Sequence, residues 1–213
     1  ADAAGRVVPG DVLGPLTARY LGAAQIVTPV SSNTLVDQMG FTVSRTKIGS
    51  PFVIAGMEAI LAADPAAKVV GYEANGGFLL GFTAALPSGP LAPLMTRDCL
   101  LPILAPLAAA KAAGKPLADL VAALPPRFTA ADRVVGIPTE ASAPFLKSLI
   151  ADAAARAVFF HDMGAEAGTD LTDGLRVTFA SGDVLHLRPS GNAPEFRCYA
   201  EAASAERAEA LLA

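Results

Sequence analysis

Between Leu175 and Ala202 the chain alternates apolar and polar residues in three successive runs, "LRVTFA", "DVLHLR" and "EFRCYAEA". A period of two is the mark of a strand with one buried face. Ser181-Gly182 joins the first two runs as a hairpin turn, and residues 188–194 join the last two. Such a succession calls for an antiparallel sheet, with helices covering its apolar side. The second connection, Arg188-Pro189-Ser190-Gly191-Asn192-Ala193-Pro194, holds far more hydrogen-bond donors than a turn requires. Arg188 suits a bidentate, charge-assisted pair with a phosphate, and Ser190 and Asn192 add side-chain donors. Gly191 permits a nest of backbone N–H groups, and the two prolines limit the freedom lost on binding. The reading is a phosphate loop.

Upstream the pattern changes to alternating strands and helices. Residues 7–22 read as a turn at Pro9-Gly10 and a helix capped by Asp11, with Leu13, Leu16 and Tyr20 on one face. Strands are expected at 25–30, 41–45, 68–73 and 78–82. Ser50-Pro51 reads as an N-cap with proline opening a helix that Asp64-Pro65 ends. A long Ala/Leu helix is expected from about Thr96 to Ala113, ended by Gly114 and kinked or broken by Pro102 and Pro106. A shorter helix follows at 117–124. Residues 124–130, with two prolines, form the linker candidate. Beyond it come a strand at 133–138, a helix at 144–157, the three alternating strands and a last helix. The fold class is an α/β three-layer domain followed by a small α+β domain with an antiparallel sheet.

Two loops of the first part also bear on chemistry. In "RTKIGSPF" Lys47 stands between a strand and a helix N-terminus, where free N–H groups favour an anion; a solvated surface lysine is the plain alternative. In "GYEANGGFLLG" Glu73 supplies acceptors, and Asn75 supplies a donor and an acceptor, for adjacent sugar hydroxyls. Asn75-Gly76 by itself also predicts an ordinary hairpin turn.

Charge narrows the partners. Sixteen Lys and Arg against twenty Asp and Glu give a formal net charge of −4, which argues against nucleic acid or an anionic membrane as a partner. Cys99 and Cys198 lie far apart without CxxC spacing and read as free, buried or half-buried thiols of a reducing compartment. His161 and His186 lack ligand spacing, so no zinc site is expected. The apolar run from Leu100, "LLPILAPLAAA", is too short and proline-broken to span a bilayer. The opening "ADAAGRVVPGD" has neither the basic nor the apolar region of a signal peptide and reads as the interior of a longer chain.

Taken in order, these motifs resemble the α-D-phosphohexomutases, the phosphomannomutase/phosphoglucomutase superfamily. "RPSGNAPEFRCYAEA" is similar to that family's C-terminal phosphate loop, commonly RPSGTEP. "GYEANGG" is similar to its sugar-specificity loop, GEMSGH or GEESFG, and "RTKIGSPF" to its TKVGH segment; "GRVVPGDVL" resembles the segment downstream of its metal loop. The resemblance implies four domains, of which this chain would hold the tail of the second (1–23), the third (24–127) and the fourth (128–213), the last with a TATA-binding-protein-like fold. It implies a cytoplasmic mutase exchanging sugar 6-phosphate and sugar 1-phosphate through a phosphoserine and a hexose 1,6-bisphosphate. Phosphomannomutase is the expected activity; phosphoglucomutase, phosphoglucosamine or phosphoacetylglucosamine mutase, or a non-catalytic sugar-phosphate-binding module, are the alternatives. Mg2+ and the phosphoserine would belong to the portion that precedes this sequence, leaving this part inactive alone.

By the same resemblance Arg188, Ser190, Gly191 and Asn192 hold the phosphate that does not react. Glu73 and Asn75 grip sugar hydroxyls, and Lys47 faces the cleft. The sequence departs from the family pattern at Gly77, where GEMSGH has histidine, and at Asn75, where serine is usual. Asn192 and Ala193 replace the usual threonine and glutamate.

Overall fold

The computed structural model describes residues 1–3 and 5–213. The chain divides into two units, Ala1–Pro125 and Pro126–Ala213.

In the first unit the elements run α1 (Gly10–Leu21), β1 (Gln25–Pro29), β2 (Thr42–Thr46), α2 (Ser50–Ala63), β3 (Val69–Tyr72) and β4 (Phe78–Leu80). They continue with β5 (Ala84–Leu86), β6 (Gly89–Leu91), β7 (Leu94–Asp98), α3 (Leu101–Ala113) and α4 (Leu117–Ala122). One sheet has the order β2-β1-β3-β4-β7, while β5 and β6 form a separate ribbon. β1 pairs parallel with both β2 and β3; β4 and β7 add antiparallel.

Strand alternation sorts the core into two layers. Ile26, Val70, Tyr72, Phe78 and Leu80 face Ala18 and Leu21 of α1, whereas Val27, Val69 and Leu79 face Val53 and Met57 of α2. Glycines allow both helices to sit close on β3. A Cβ at Gly14 would lie 2.5 Å from the Tyr72 ring, and one at Gly71 would lie 2.5 Å from Val53 and 2.6 Å from the Met57 sulfur. The three-layer α/β arrangement expected from the sequence is present. Helix α1, assigned from sequence to the end of a preceding domain, packs on α3 and β3 of this unit.

Several local expectations change. Asp11 lies inside the first turn of α1, and its buried carboxylate accepts from the backbone N–H of Asn33 rather than capping its own helix. The helix expected from Thr96 starts at Leu101, because Thr96 belongs to β7. Pro102 falls in the first turn of α3, where its missing N–H costs nothing, and α3 continues as one helix through Pro106. Cys99 is exposed rather than buried, Cys198 is half-buried, and both are free.

The second unit runs β8 (Phe128–Val135), α5 (Thr139–Ala151), α6 (Ala153–Phe159), β9 (Glu166–Asp170), β10 (Leu175–Phe179), β11 (Val184–Pro189), β12 (Glu195–Ala202) and α7 (Ala205–Ala210). Its sheet, β8-β12-β11-β10-β9, is antiparallel throughout. Leu175, Val177, Phe179, Leu185, Leu187, Ala200 and Ala202 point to one side and bury Leu146 and Leu149 of α5 with Ala208 of α7. The helices thus cover one face. β8 begins at Phe128, inside the stretch expected to be linker, and the helix expected at 144–157 is two helices. Asp152 separates them and caps the second by accepting from the N–H groups of Ala154 and Ala155.

Candidate functional site

The carboxyl ends of β1, β2 and β3 lie on one edge of the first sheet. The chain leaves β1 for β2 on one side and returns to β3 on the other, so β1 and β3 form a topological switch point, where open α/β sheets bind ligands. The Thr28 hydroxyl at the end of β1 bonds to the Tyr72 carbonyl at 2.9 Å and lies 2.7 Å from the Ser32 hydroxyl, tying the two strand ends together.

Residues 73–77 leave β3 at this point. The Glu73 N–H donates to the Gly77 carbonyl and the Gly76 N–H to the Glu73 carbonyl, each at 3.0 Å, closing a tight loop with Gly76 at φ +90°. Asn75 Oδ1 accepts from the Gly77 N–H at 3.0 Å, which leaves the exposed Asn75 amide as a donor. The Gly10 N–H donates to the Ala74 carbonyl at 3.0 Å, and a Cβ on Gly10 would collide with the Gly76 backbone. The loop therefore rests on the N-terminus of α1.

Glu73 is only 6% exposed, and Oε1 accepts from the Ser50 hydroxyl at 2.5 Å. Ser50, expected as the cap of α2, instead points its hydroxyl at this carboxylate; Gly49 holds the cap position at φ +133°. With Oε1 taken by a hydroxyl, the second carboxyl oxygen keeps acceptor capacity for a ligand. Lys47 is exposed just beyond β2, with β1 lying between β2 and β3. Among the described residues its ammonium has no side-chain partner.

In the second unit, Arg188, Ser190, Gly191 and Asn192 are gathered on the β11–β12 connection. The Ser190 N–H donates to the Glu195 carbonyl at 2.8 Å, and its buried hydroxyl donates to Asn192 Oδ1 at 3.0 Å. The Ile137 N–H donates to the Pro194 carbonyl, and the Thr139 hydroxyl to the Ser190 carbonyl. The entry to α5 thereby braces the loop. Gly191 is not among the glycines with positive φ, so the alternating backbone of an anion nest is absent at that residue. A Cβ there would meet nothing within 4 Å.

Arg188 has its Nε 3.4 Å from Asp173 Oδ1, with only 12% of its side chain exposed. The Asp173 carbonyl accepts from buried His186 Nε2, and Gly174 is pressed on β11 so tightly that a Cβ would strike the Leu187 carbonyl oxygen. This turn fixes the base of the Arg188 side chain. Burial is the main reason that the His186 imidazole titrates below its usual range.

The sheet register reveals two arginines absent from the sequence reading. Arg188 stands opposite Arg197, and Arg197 opposite Arg133, giving three guanidiniums in a row on the helix-free face. Like charges in register repel. Glu195 answers this by pairing with Arg197 at 2.9 Å and Arg133 at 3.4 Å. A signal for Arg197 did exist in the sequence, since closing the hairpin around residues 189–196 sets it against Arg188. Among the described residues no group of three His, Cys, Asp or Glu side chains is placed to hold a metal ion.

An α/β sheet with a polar loop at its switch point, followed by an antiparallel domain with an arginine-rich loop, is the architecture of a known group. Residues 9–128 match the family model described as phosphoglucomutase/phosphomannomutase, alpha/beta/alpha domain III, and residues 139–213 match the C-terminal domain of the same family. The chain belongs to the phosphoglucomutase/phosphomannomutase family. It is 43% identical over 213 residues to a phosphomannomutase of Sinorhizobium fredii, covering all of this chain and 45% of that protein. It is 41% identical to a phosphomannomutase of Salmonella muenchen, covering 98% of this chain and 43% of the relative. The chain thus spans less than half the length of these relatives. Among solved structures it resembles Aspergillus fumigatus N-acetylphosphoglucosamine mutase in complex with GlcNAc-6P and magnesium, with a TM-score of 0.61 at 17% identity. That likeness covers 97% of this chain and 46% of the other and concerns the fold.

Proposed function

We propose that this chain is the sugar- and phosphate-holding part of a hexose-phosphate mutase that interconverts sugar 6-phosphate and sugar 1-phosphate, with phosphomannomutase the activity it fits best. The observation that carries the reading is the pairing of two prepared loops with identity above 40%, along nearly the whole chain, to two phosphomannomutases. In this reading residues 1–23 close a second domain, 24–127 form a third and 128–213 a fourth.

Glu73 accepts hydrogen bonds from sugar hydroxyls through the carboxylate oxygen that Ser50 leaves available, and the Asn75 amide donates to a neighbouring oxygen. Lys47 supplies positive charge at the same sheet edge. Arg188, Ser190, Gly191 and Asn192 hold the phosphate that does not react. To do so the Ser190 hydroxyl turns its proton from Asn192 toward the ligand. Phosphoryl transfer depends chiefly on positioning and charge neutralisation, which is what such anchors provide. Gly77 carries no group that could move a proton.

The cluster needed for a metal ion is missing among the described residues. Magnesium, the phosphoserine and exchange through hexose 1,6-bisphosphate enter this reading as contributions from outside this sequence. No helix among the described residues is long and apolar enough to cross a membrane; a cytoplasmic site of action is part of the proposal. The test is an assay of the full-length protein with mannose 1-phosphate, magnesium and a bisphosphate activator, in competition with glucose 1-phosphate. Turnover favouring the mannose compound supports the reading, and no turnover of either sugar phosphate removes it.

A further inference from the structure

A side chain at position 77 would compete for space with an arginine. The φ of Gly77 lies outside the left-handed region, so the backbone does not demand glycine. A Cβ at 77, however, would lie 2.8 Å from Arg97 Nε, 3.5 Å from Arg97 Cγ and 3.3 Å from Asn75 Oδ1. The Arg97 side chain, coming from β7 beside β4, occupies the volume that a side chain at 77 would fill. Residues 73, 77 and 79 follow one alternation, which places Gly77 on the α2 side of the sheet with Glu73 and Leu79.

Arg97 has no structural task there. It is exposed, and among the described residues its guanidinium makes no hydrogen bond or ion pair. Arg45, on the neighbouring β2, shows what a structural arginine of this edge looks like: it is held by Asp37 at 2.9 Å and by the Ser32 carbonyl at 2.6 Å. Nor does Arg97 neutralise Glu73, whose carboxyl group accepts from the hydroxyl of Ser50.

We propose that Arg97 is a further substrate-binding residue, whose guanidinium takes the place of a side chain at position 77 and donates hydrogen bonds to oxygen atoms of the sugar phosphate held by residues 73–77. The inference rests on the reading of the chain as part of a hexose-phosphate mutase. A guanidinium stays protonated and only donates, so Arg97 holds and neutralises the ligand and moves no proton. Gly77 is then its enabling partner, since any side chain there displaces it.

The test is calorimetric titration of mannose 1-phosphate into the full-length protein and its Arg97→Gln, Arg97→Lys, Gly77→Ala and Arg97→Gln/Gly77→Ala variants, with thermal melts as the fold control. Arg97→Gln is expected to weaken binding about 10- to 100-fold, the size of a lost charged hydrogen bond, and Arg97→Lys to recover part of it. Gly77→Ala is expected to weaken binding in the wild type and to add nothing when Arg97 is already replaced, a coupling that a merely structural glycine would not show. Wild-type affinity in a folded Arg97→Gln variant overturns the inference and leaves the mutase reading standing. Failure of the wild type itself to bind mannose 1-phosphate removes the mutase reading and the inference with it.

Discussion

The two loops solve opposite electrostatic problems. In the first unit the buried group is an acid: Glu73 is held by a neutral hydroxyl, while Lys47 and Arg97 stand exposed and unpaired among the described residues. In the second unit the fixed charge is positive, and it is already answered. Arg188 leans on Asp173, and Arg197 and Arg133 share Glu195. The first loop presents an acceptor that needs no rearrangement, as recognition of hydroxyl groups requires. The second keeps a row of arginines from repelling one another, and in the proposed reading an anion takes over part of the carboxylates' role. In the proposed reading one loop is a template and the other an exchange site.

The sharpest way to break this contrast is to remove charge from the exchange site. Arg188→Gln in the full-length protein is expected to lower kcat/KM for mannose 1-phosphate roughly 100-fold, the upper range for a charged hydrogen bond. Steady-state kinetics would show it, and a variant within twofold of wild type would place the phosphate elsewhere.

Packing offers a second comparison. Gly71→Ala forces a methyl against Val53 and Met57 and should cost about 1–3 kcal/mol in urea unfolding. Gly191→Ala, with nothing within 4 Å, should stay within about 0.5 kcal/mol of wild type. Equal losses at both positions would contradict the assignment of open space to the β11–β12 connection. Removing the template's neutral support has a smaller effect. Ser50→Ala should weaken mannose 1-phosphate binding about fivefold, the worth of one ordinary hydrogen bond of roughly 1 kcal/mol.

The smallest expected effect concerns pH. His186 is buried, and its folded-state pKa lies below the ordinary 6.5. The unfolded chain therefore binds more protons as pH falls below about 6.5, and the stability that neutral His186 contributes is lost in that direction. Protection factors of the amides in β10, β11 and β12, with the intrinsic pH dependence of exchange divided out, should fall between pH 7 and 5.5, and His186→Gln should flatten that dependence.

Much of this was legible in the sequence. The alternation from Leu175 to Ala202 gave the antiparallel sheet, and the residues of both loops stand out by chemistry and by their glycines. What escaped has physical causes. β9 is a polar, largely exposed strand with no apolar rhythm, and β7 adjoins an Ala/Leu run that reads as helix. Ser50 looks like a cap until tertiary packing brings Glu73 to it. Arg97 carries no local signal, because its relation to Gly77 exists only once β7 lies beside β4.

The most direct measurement of the central claim is chemical-shift mapping of this 213-residue chain with mannose 1-phosphate. Perturbation of amides at residues 73–77 and 188–194, with no conversion of the sugar phosphate, is the result expected. Shifts elsewhere with both loops unmoved, or turnover by this chain alone, would contradict it.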